Sequence, residues 1–136
     1  MLSNHSYQGS KNSNQHKFGF GIQKWNDGAL YKGYFENNSA NGLGHFTQSQ
    51  GGIYQGNFSD GRVDGYGCYN NITNGTYEGE WSKDFQQGYG IEQWSDGSYY
   101  QGQFYKGKKH GYGTYLWSDG SLYEGEWEDN CLNGYV

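Results

Sequence analysis

GYGTYLWSDGSLYEGEW, residues 111–127, contains two strand patterns and the turn between them. Asp119-Gly120 is a strong hairpin signal, because glycine adopts a left-handed backbone without steric cost. Beyond it, Tyr123, Gly125 and Trp127 alternate with Glu124 and Glu126. That period of two marks a half-buried β-strand with one wet side.

The same wording recurs along the chain. Tyr-x-Gly begins at Tyr7, Tyr31, Tyr54, Tyr77, Tyr100 and Tyr123, spaced by 24 residues once and by 23 thereafter. Gly-x-Gly begins at Gly19, Gly42, Gly65, Gly88 and Gly111 with a period of 23, and Gly134-Tyr135 lies one period further on. Such regularity defines a repeat architecture. The division it gives is a polar tail over residues 1–6 and an array over residues 7–136, with units starting at about 7, 31, 54, 77, 100 and 123. Four residues after each tyrosine stands a large ring, namely Phe35, Phe58, Trp81, Phe104 and Trp127, although the first unit has Lys11 there. Three residues later come Asn38, Gly61, Asp84, Gly107 and Asn130, all types that tolerate positive φ, so a turn is expected. The second turn falls at Asp27-Gly28, Asp96-Gly97 and Asp119-Gly120. Gln50-Gly51 and Thr73-Asn74 stand at the other two sites, each with a residue suited to positive φ.

Each unit is therefore two short strands and two tight turns. The fold class is all-β: a single-layer antiparallel β-meander of hairpins, elongated and twisted, with about eleven or twelve strands and no helices, roughly 50 to 55 Å across. A three-residue bulged loop at the Asp-Gly sites is expected, because it puts Tyr31, Gly33 and Phe35 on the face that carries Gly42, Gly44 and Phe46. Glycines then lie beside rings, which offsets their poor strand propensity. Leu30, Ile53, Tyr99 and Leu122, with Leu43, Tyr66, Tyr89 and Tyr112, fall on the other face. The extra residue of the first unit and the stop at Val136 read as caps or as truncation.

Composition agrees. The 136 residues include 25 glycines, no proline, 15 Tyr, 7 Phe and 5 Trp, so rings and not aliphatic side chains must carry the burial. With a net charge of −5 and Arg62 as the sole arginine, the chain lacks the dense basic patch that nucleic acid requires, and anionic lipid is disfavoured for the same reason. No apolar run reaches the roughly 18 to 20 residues of a membrane helix, and residues 1–17 have no signal-peptide core, so a cytoplasmic protein is expected. The sequons at Asn4, Asn37, Asn57, Asn71 and Asn74 then read as chance matches.

Motifs for chemistry are weak. The Gly-x-Gly segments lack a phosphate-loop ending, and His5, His16, His45 and His110 have no metal-ligand spacing. Cys68 and Cys131 lie about three units apart and read as free thiols. Glu78 with Glu80 and Glu124 with Glu126 share a strand face, but the wet one, which suits a solvated surface or an acidic patch better than acid/base work. No catalytic, metal or cofactor residue is expected.

Tyr-Glu-Gly-Glu-Trp at 77–81 and 123–127, Gly-Tyr-Gly-Thr-Tyr-Leu-Trp-Ser-Asp-Gly at 111–120 and the 23-residue period resemble MORN repeats, over nearly the whole chain. The resemblance implies a β-hairpin array that serves assembly, as in radial-spoke heads, cytoskeletal scaffolds, junctional membrane proteins, myosin-tail adaptors and plant lipid kinases. It implies no common catalytic residue. Gln48 and Asn71 replace the tryptophan of other units.

A one-layer sheet cannot bury both sides, and contiguous exposed apolar area marks an interaction site. The expected partner-binding groove is lined by Tyr54, Phe58, Tyr77, Trp81, Trp94, Tyr100, Phe104, Trp117, Tyr123 and Trp127, and holds an amphipathic helix or extended segment of another protein. A ciliary, axonemal or other cytoskeletal setting is the expected context. The alternatives are a membrane-proximal phosphoinositide-binding or tethering module, a regulatory array of a larger enzyme, and self-association through edge strands.

Overall fold

Twelve strands follow one another in the protein's structure, a computed structural model that describes residues 5–133. They are β1 (His5–Lys11), β2 (Lys17–Trp25), β3 (Leu30–Glu36), β4 (Ser39–Thr47), β5 (Ile53–Ser59), β6 (Arg62–Asn70), β7 (Gly75–Ser82), β8 (Phe85–Trp94), β9 (Tyr99–Tyr105), β10 (Lys108–Leu116), β11 (Leu122–Glu128) and β12 (Cys131–Asn133). Their order in the single sheet is their order in the chain. The expected meander is the fold. Pairing starts at His5, two residues before Tyr7, while residues 1–4, Gly134-Tyr135 and Val136 lie outside the described residues.

Two turn types alternate. After each ring comes a two-residue loop: Glu36 pairs with Ser39 around Asn37 and Asn38 (φ 49° and 74°), and Ser82 with Phe85 around Lys83 and Asp84 (φ 47° and 74°). Two consecutive positive φ values give a turn whose twist matches that of the strands it joins. The second turn residue also reaches back to the preceding unit. Asn38, Asp84 and Asn130 donate their N–H to the carbonyls of Lys17, Val63 and Lys109, and their Oδ1 accepts the N–H of those same residues. Gly61 and Gly107 keep only the backbone half of this bond, to Ala40 and Gln86.

The other turn is the bulged loop expected from Asp-Gly. Trp25 and Ala29 close three residues with Gly28 at φ 98°, and Gln48–Gly52, Trp94–Ser98 and Trp117–Ser121 repeat the arrangement. Asp96 and Asp119 accept bonds from both the N–H and the hydroxyl of Ser98 and Ser121, which is why serine follows Asp-Gly there. The remaining loop, third in chain order, departs from expectation. Asn71 and Gly75 close it, but the positive φ falls on Ile72 (55°) and not on Thr73 or Asn74. The Asn70 side chain accepts the Ile72 N–H at 2.7 Å and holds it there. In the first unit the extra residue widens the two-residue turn to three, closed by Asn12 and His16 with Gln15 at φ 65°.

This register sets Tyr31 opposite Phe46 and Gly33 opposite Gly44. The Tyr31 ring lies flat across both glycines: a Cβ on Gly33 would come within 2.6 Å of its hydroxyl, and one on Gly44 within 2.5 Å of the ring. Having crossed them, the hydroxyl donates to the Tyr34 carbonyl at 2.8 Å. Tyr7, Tyr54, Tyr77, Tyr100 and Tyr123 make the same bond to the residue three further on. Tyr-x-Gly thus encodes a ring, the space for it and its polar anchor.

The first glycine of each Gly-x-Gly has another role, and the expectation that both lie beside rings is corrected. At Gly88 and Gly111 φ is 83° and 78°, and a Cβ would meet Glu80 or Gln103 on the opposite face. Here the register slips, as between Gly33 and Phe35, and the next N–H leaves the ladder. Glu80 Oε2 takes up the Tyr89 N–H at 2.6 Å and Gln103 Oε1 the Tyr112 N–H at 2.9 Å.

Tyr31, Tyr54, Tyr77 and Tyr100 then each meet two rings edge-on. Tyr31 contacts Phe35 of its own strand at 5.1 Å and Phe58 of the next unit at 5.1 Å; Tyr77 contacts Trp81 at 4.9 Å and Phe104 at 5.1 Å. Such pairs contribute about 0.5–1.5 kcal/mol each beyond burial. They form one continuous row that crosses every unit boundary, with Tyr31, Tyr77 and Tyr100 almost fully buried.

Gly113→Ala should force the Tyr100 ring off its seat and cost about 1–3 kcal/mol, whereas Tyr100→Phe should cost about 1 kcal/mol for the lost hydroxyl bond. Urea unfolding of the two variants measures the difference, and a neutral Gly113→Ala would contradict the ring-over-glycine packing.

Candidate interaction groove

Along the tyrosine face, two columns of side chains decide what is filled and what is open. One runs through Gln23, Phe46, Tyr69, Glu92 and Tyr115, each paired across the ladder with a tyrosine of the row. The other runs through Lys17, Ala40, Val63, Gln86 and Lys109, at the bulges.

Where that second column is short, the face opens. A groove of about 710 Å³ extends over β2 to β8, lined by Trp25, Tyr31, Phe46, Phe58, Tyr69 and Trp81 around Ala40 and Val63. Gln23, Gln48, Gln86, Lys17 and Asp84 supply its polar groups. The Tyr69 hydroxyl donates to Gln48 Oε1 at 2.8 Å, so glutamine in place of tryptophan ties down the neighbouring ring. Trp81 Nε1 donates to the Gly67 carbonyl at 3.1 Å, which anchors that indole across the unit boundary.

Where the column is long, the face is filled. Lys109 Nζ lies 5.4 Å from the Trp94 ring centre, 5.6 Å from those of Tyr100 and Tyr115, and 5.9 Å from that of Trp127. Burial lowers its pKa, and the nearby Glu92 offsets part of that. Burial raises the pKa of Glu92, offset in part by Lys109 and by a bond from Gln86. The two charges stabilise each other inside an aromatic surface.

Of the residues expected to bind a partner, Tyr54, Phe58 and Trp81 line the groove. Tyr77 and Trp94 line a smaller pocket of about 150 Å³ beside it. Phe104, Trp127 and Tyr100 belong to the second buried cluster, against which Tyr123 packs, and Trp117 stacks on Tyr115 at 4.6 Å. The open site lies nearer the N terminus than expected, and Trp25, Phe46, Tyr69, Ala40 and Val63 are its additions. Aligning units by column would have revealed it, since the column reads Lys, Ala, Val, Gln, Lys and is short only in its middle. The same alignment would have found Glu92, a carboxylate on the ring side; Glu78, Glu80, Glu124 and Glu126 are exposed, as alternation requires.

The opposite face carries Tyr34, Leu43, Tyr66, Tyr89 and Tyr112, all about half exposed. Among the described residues no three of His, Cys, Asp and Glu converge to hold a metal, and no helix is long and apolar enough to cross a membrane. Cys68 and Cys131 are free thiols.

Fold and face together define a repeat-based β-hairpin array with an open, ring-lined face. The profile described as MORN repeat matches residues 31–53, 54–70, 77–99, 100–122 and 123–135, well over half of the chain. The chain belongs to the MORN-repeat family, whose repeats are typically non-catalytic. The unit beginning at Tyr7 is not matched, and it is the one where Lys11 replaces the ring and the first turn is widened. A search of the curated proteins gave no match.

The buried tyrosines predict an alkaline limit. Burial pushes Tyr31 and Tyr100 up to about 12 from 10.0, and raises Tyr54 and Tyr77 as well. Their neutral form is favoured in the fold, so this stability is complete below about pH 10 and is lost as pH rises towards about 12. Tyrosinate absorbance should show a late group titrating together with unfolding. A single transition near pH 10 with the fold retained would contradict it.

Proposed function

We propose that this protein is a non-catalytic interaction module whose groove receives a segment of another protein. One observation carries the reading: rings that hold the sheet together also line an open groove of about 710 Å³ on the tyrosine face. At about 4.8 Å per strand, the span from β2 to β8 is about 30 Å. That suits an amphipathic helix of about twenty residues, or a shorter extended segment. Such a partner would place apolar anchors among Trp25, Phe46, Tyr69 and Trp81 and leave its polar side to the rim.

Membership of a repeat family used for assembly supports the reading, and a ciliary, axonemal or cytoskeletal complex in the cytoplasm is the setting we propose. The net charge of −5 speaks against an anionic membrane surface as the ligand.

Val63→Glu puts a charge into the groove, and Tyr66→Glu puts one on the opposite face. With full-length tagged protein, partner recovery should fall at least tenfold for Val63→Glu and change little for Tyr66→Glu, both variants remaining folded. The reverse pattern would sink the groove reading, and flotation of the protein with anionic vesicles would replace it with a lipid one.

A further inference from the structure

The box of rings around Lys109 occurs a second time without its lysine. Three periods earlier, 69 residues back, Trp94, Tyr100, Tyr115 and Trp127 correspond to Trp25, Tyr31, Phe46 and Phe58, and Lys109 corresponds to Ala40. The ring separations are alike, although Trp25 and Phe46 meet edge-on at 69° where Trp94 and Tyr115 are tilted at 32°. Trp25 and Phe46 are 5.8 Å apart where Trp94 and Tyr115 are 5.6 Å; Tyr31 and Phe58 are 5.1 Å apart where Tyr100 and Trp127 are 5.3 Å. All four rings of the earlier box, and Ala40, line the open groove. The same column places Lys17 Nζ 5.5 Å from the Tyr7 ring, so lysine in this column lays its ammonium on the rings at both ends of the open stretch.

We infer that the box at Ala40 is a cation site, which takes the lysine side chain of a basic partner segment lying in the groove. The inference rests on the groove reading and adds to it the chemistry of the anchor. Ring faces carry partial negative charge and attract an ammonium most strongly when water is excluded. Lys109 shows that four rings at these separations accept one, while alanine at the corresponding place leaves room for one from outside. The net charge of −5 favours a basic partner over an acidic one. Two features bound the affinity. Gln23 stands where the later box has Glu92, and Lys17 shares the groove with Asp84, so the rings supply most of the attraction.

The test uses the full chain, with indole N–H resonances as reporters. In the wild type, n-butylammonium should shift the Trp25 indole signal and 1-butanol should not. Ala40→Lys, which copies the natural plug of the later box, should abolish that response. Lys109→Ala should create the same response at Trp94. A short amphipathic helical peptide with one central lysine should bind the wild type about threefold to thirtyfold more tightly than its norleucine counterpart, and Ala40→Lys should erase the difference. Equal response to the amine and the alcohol, or a lysine advantage that survives Ala40→Lys, overturns the cation site. Either result leaves the groove itself in place, which stands or falls on Val63→Glu.

Discussion

A tyrosine laid flat across two glycines on adjacent strands is the contact on which the rest of this structure depends. It needs both glycines bare: on Gly44 or Gly90 a Cβ would meet the ring itself, and on Gly33 or Gly79 it would meet the facing backbone. It also needs the hydroxyl to find an acceptor, which the carbonyl three residues on provides in all six units. The ring is thereby buried without a second layer above it. That is how a sheet with few aliphatic side chains and a mean hydropathy of −1.09 acquires a core.

Because the core is a row of rings, unit boundaries are not weak points. Tyr7 touches Phe35, Tyr31 touches Phe58, Tyr54 touches Trp81, Tyr77 touches Phe104 and Tyr100 touches Trp127, each across a boundary. Trp81 packs against both buried clusters and joins them. The row occupies the middle of the face, and the columns on its flank are free to vary. There, Ala40 and Val63 leave a groove, while Lys109 and Glu92 fill the space further on. The row holds the sheet together, and the flanking columns set where its face is open.

Much of this could be read from the residues. The period, the strands, the sites of both turns and the shared face of Tyr31, Gly33 and Gly44 follow from the spacing of glycines and rings, because period-two alternation and turn chemistry are local. The bulge at Gly42 was not legible as such, since a glycine that accommodates a ring and one that bends a strand look alike in sequence. Ile72 at positive φ was hidden too, as a β-branched residue is disfavoured there and only the bond to Asn70 explains it. The groove lies off the expected stretch because small residues in a flanking column, and not single rings, set where the face opens. Tyr77 and Tyr100 look like anchors in sequence, but burial assigns them to the core, and the small residues that open the face carry no motif.

The central claim is that rings couple neighbouring units into one cooperative sheet. Native-state hydrogen exchange on Tyr77→Ala tests it most directly, because Tyr77 contacts Trp81 and Phe104 and lies over the Gly79–Gly90 pair. The account predicts that amide protection falls in β5, β6, β9 and β10 of the flanking units as well as in β7 and β8. Loss of protection confined to β7 and β8, with both neighbours unchanged, would contradict it.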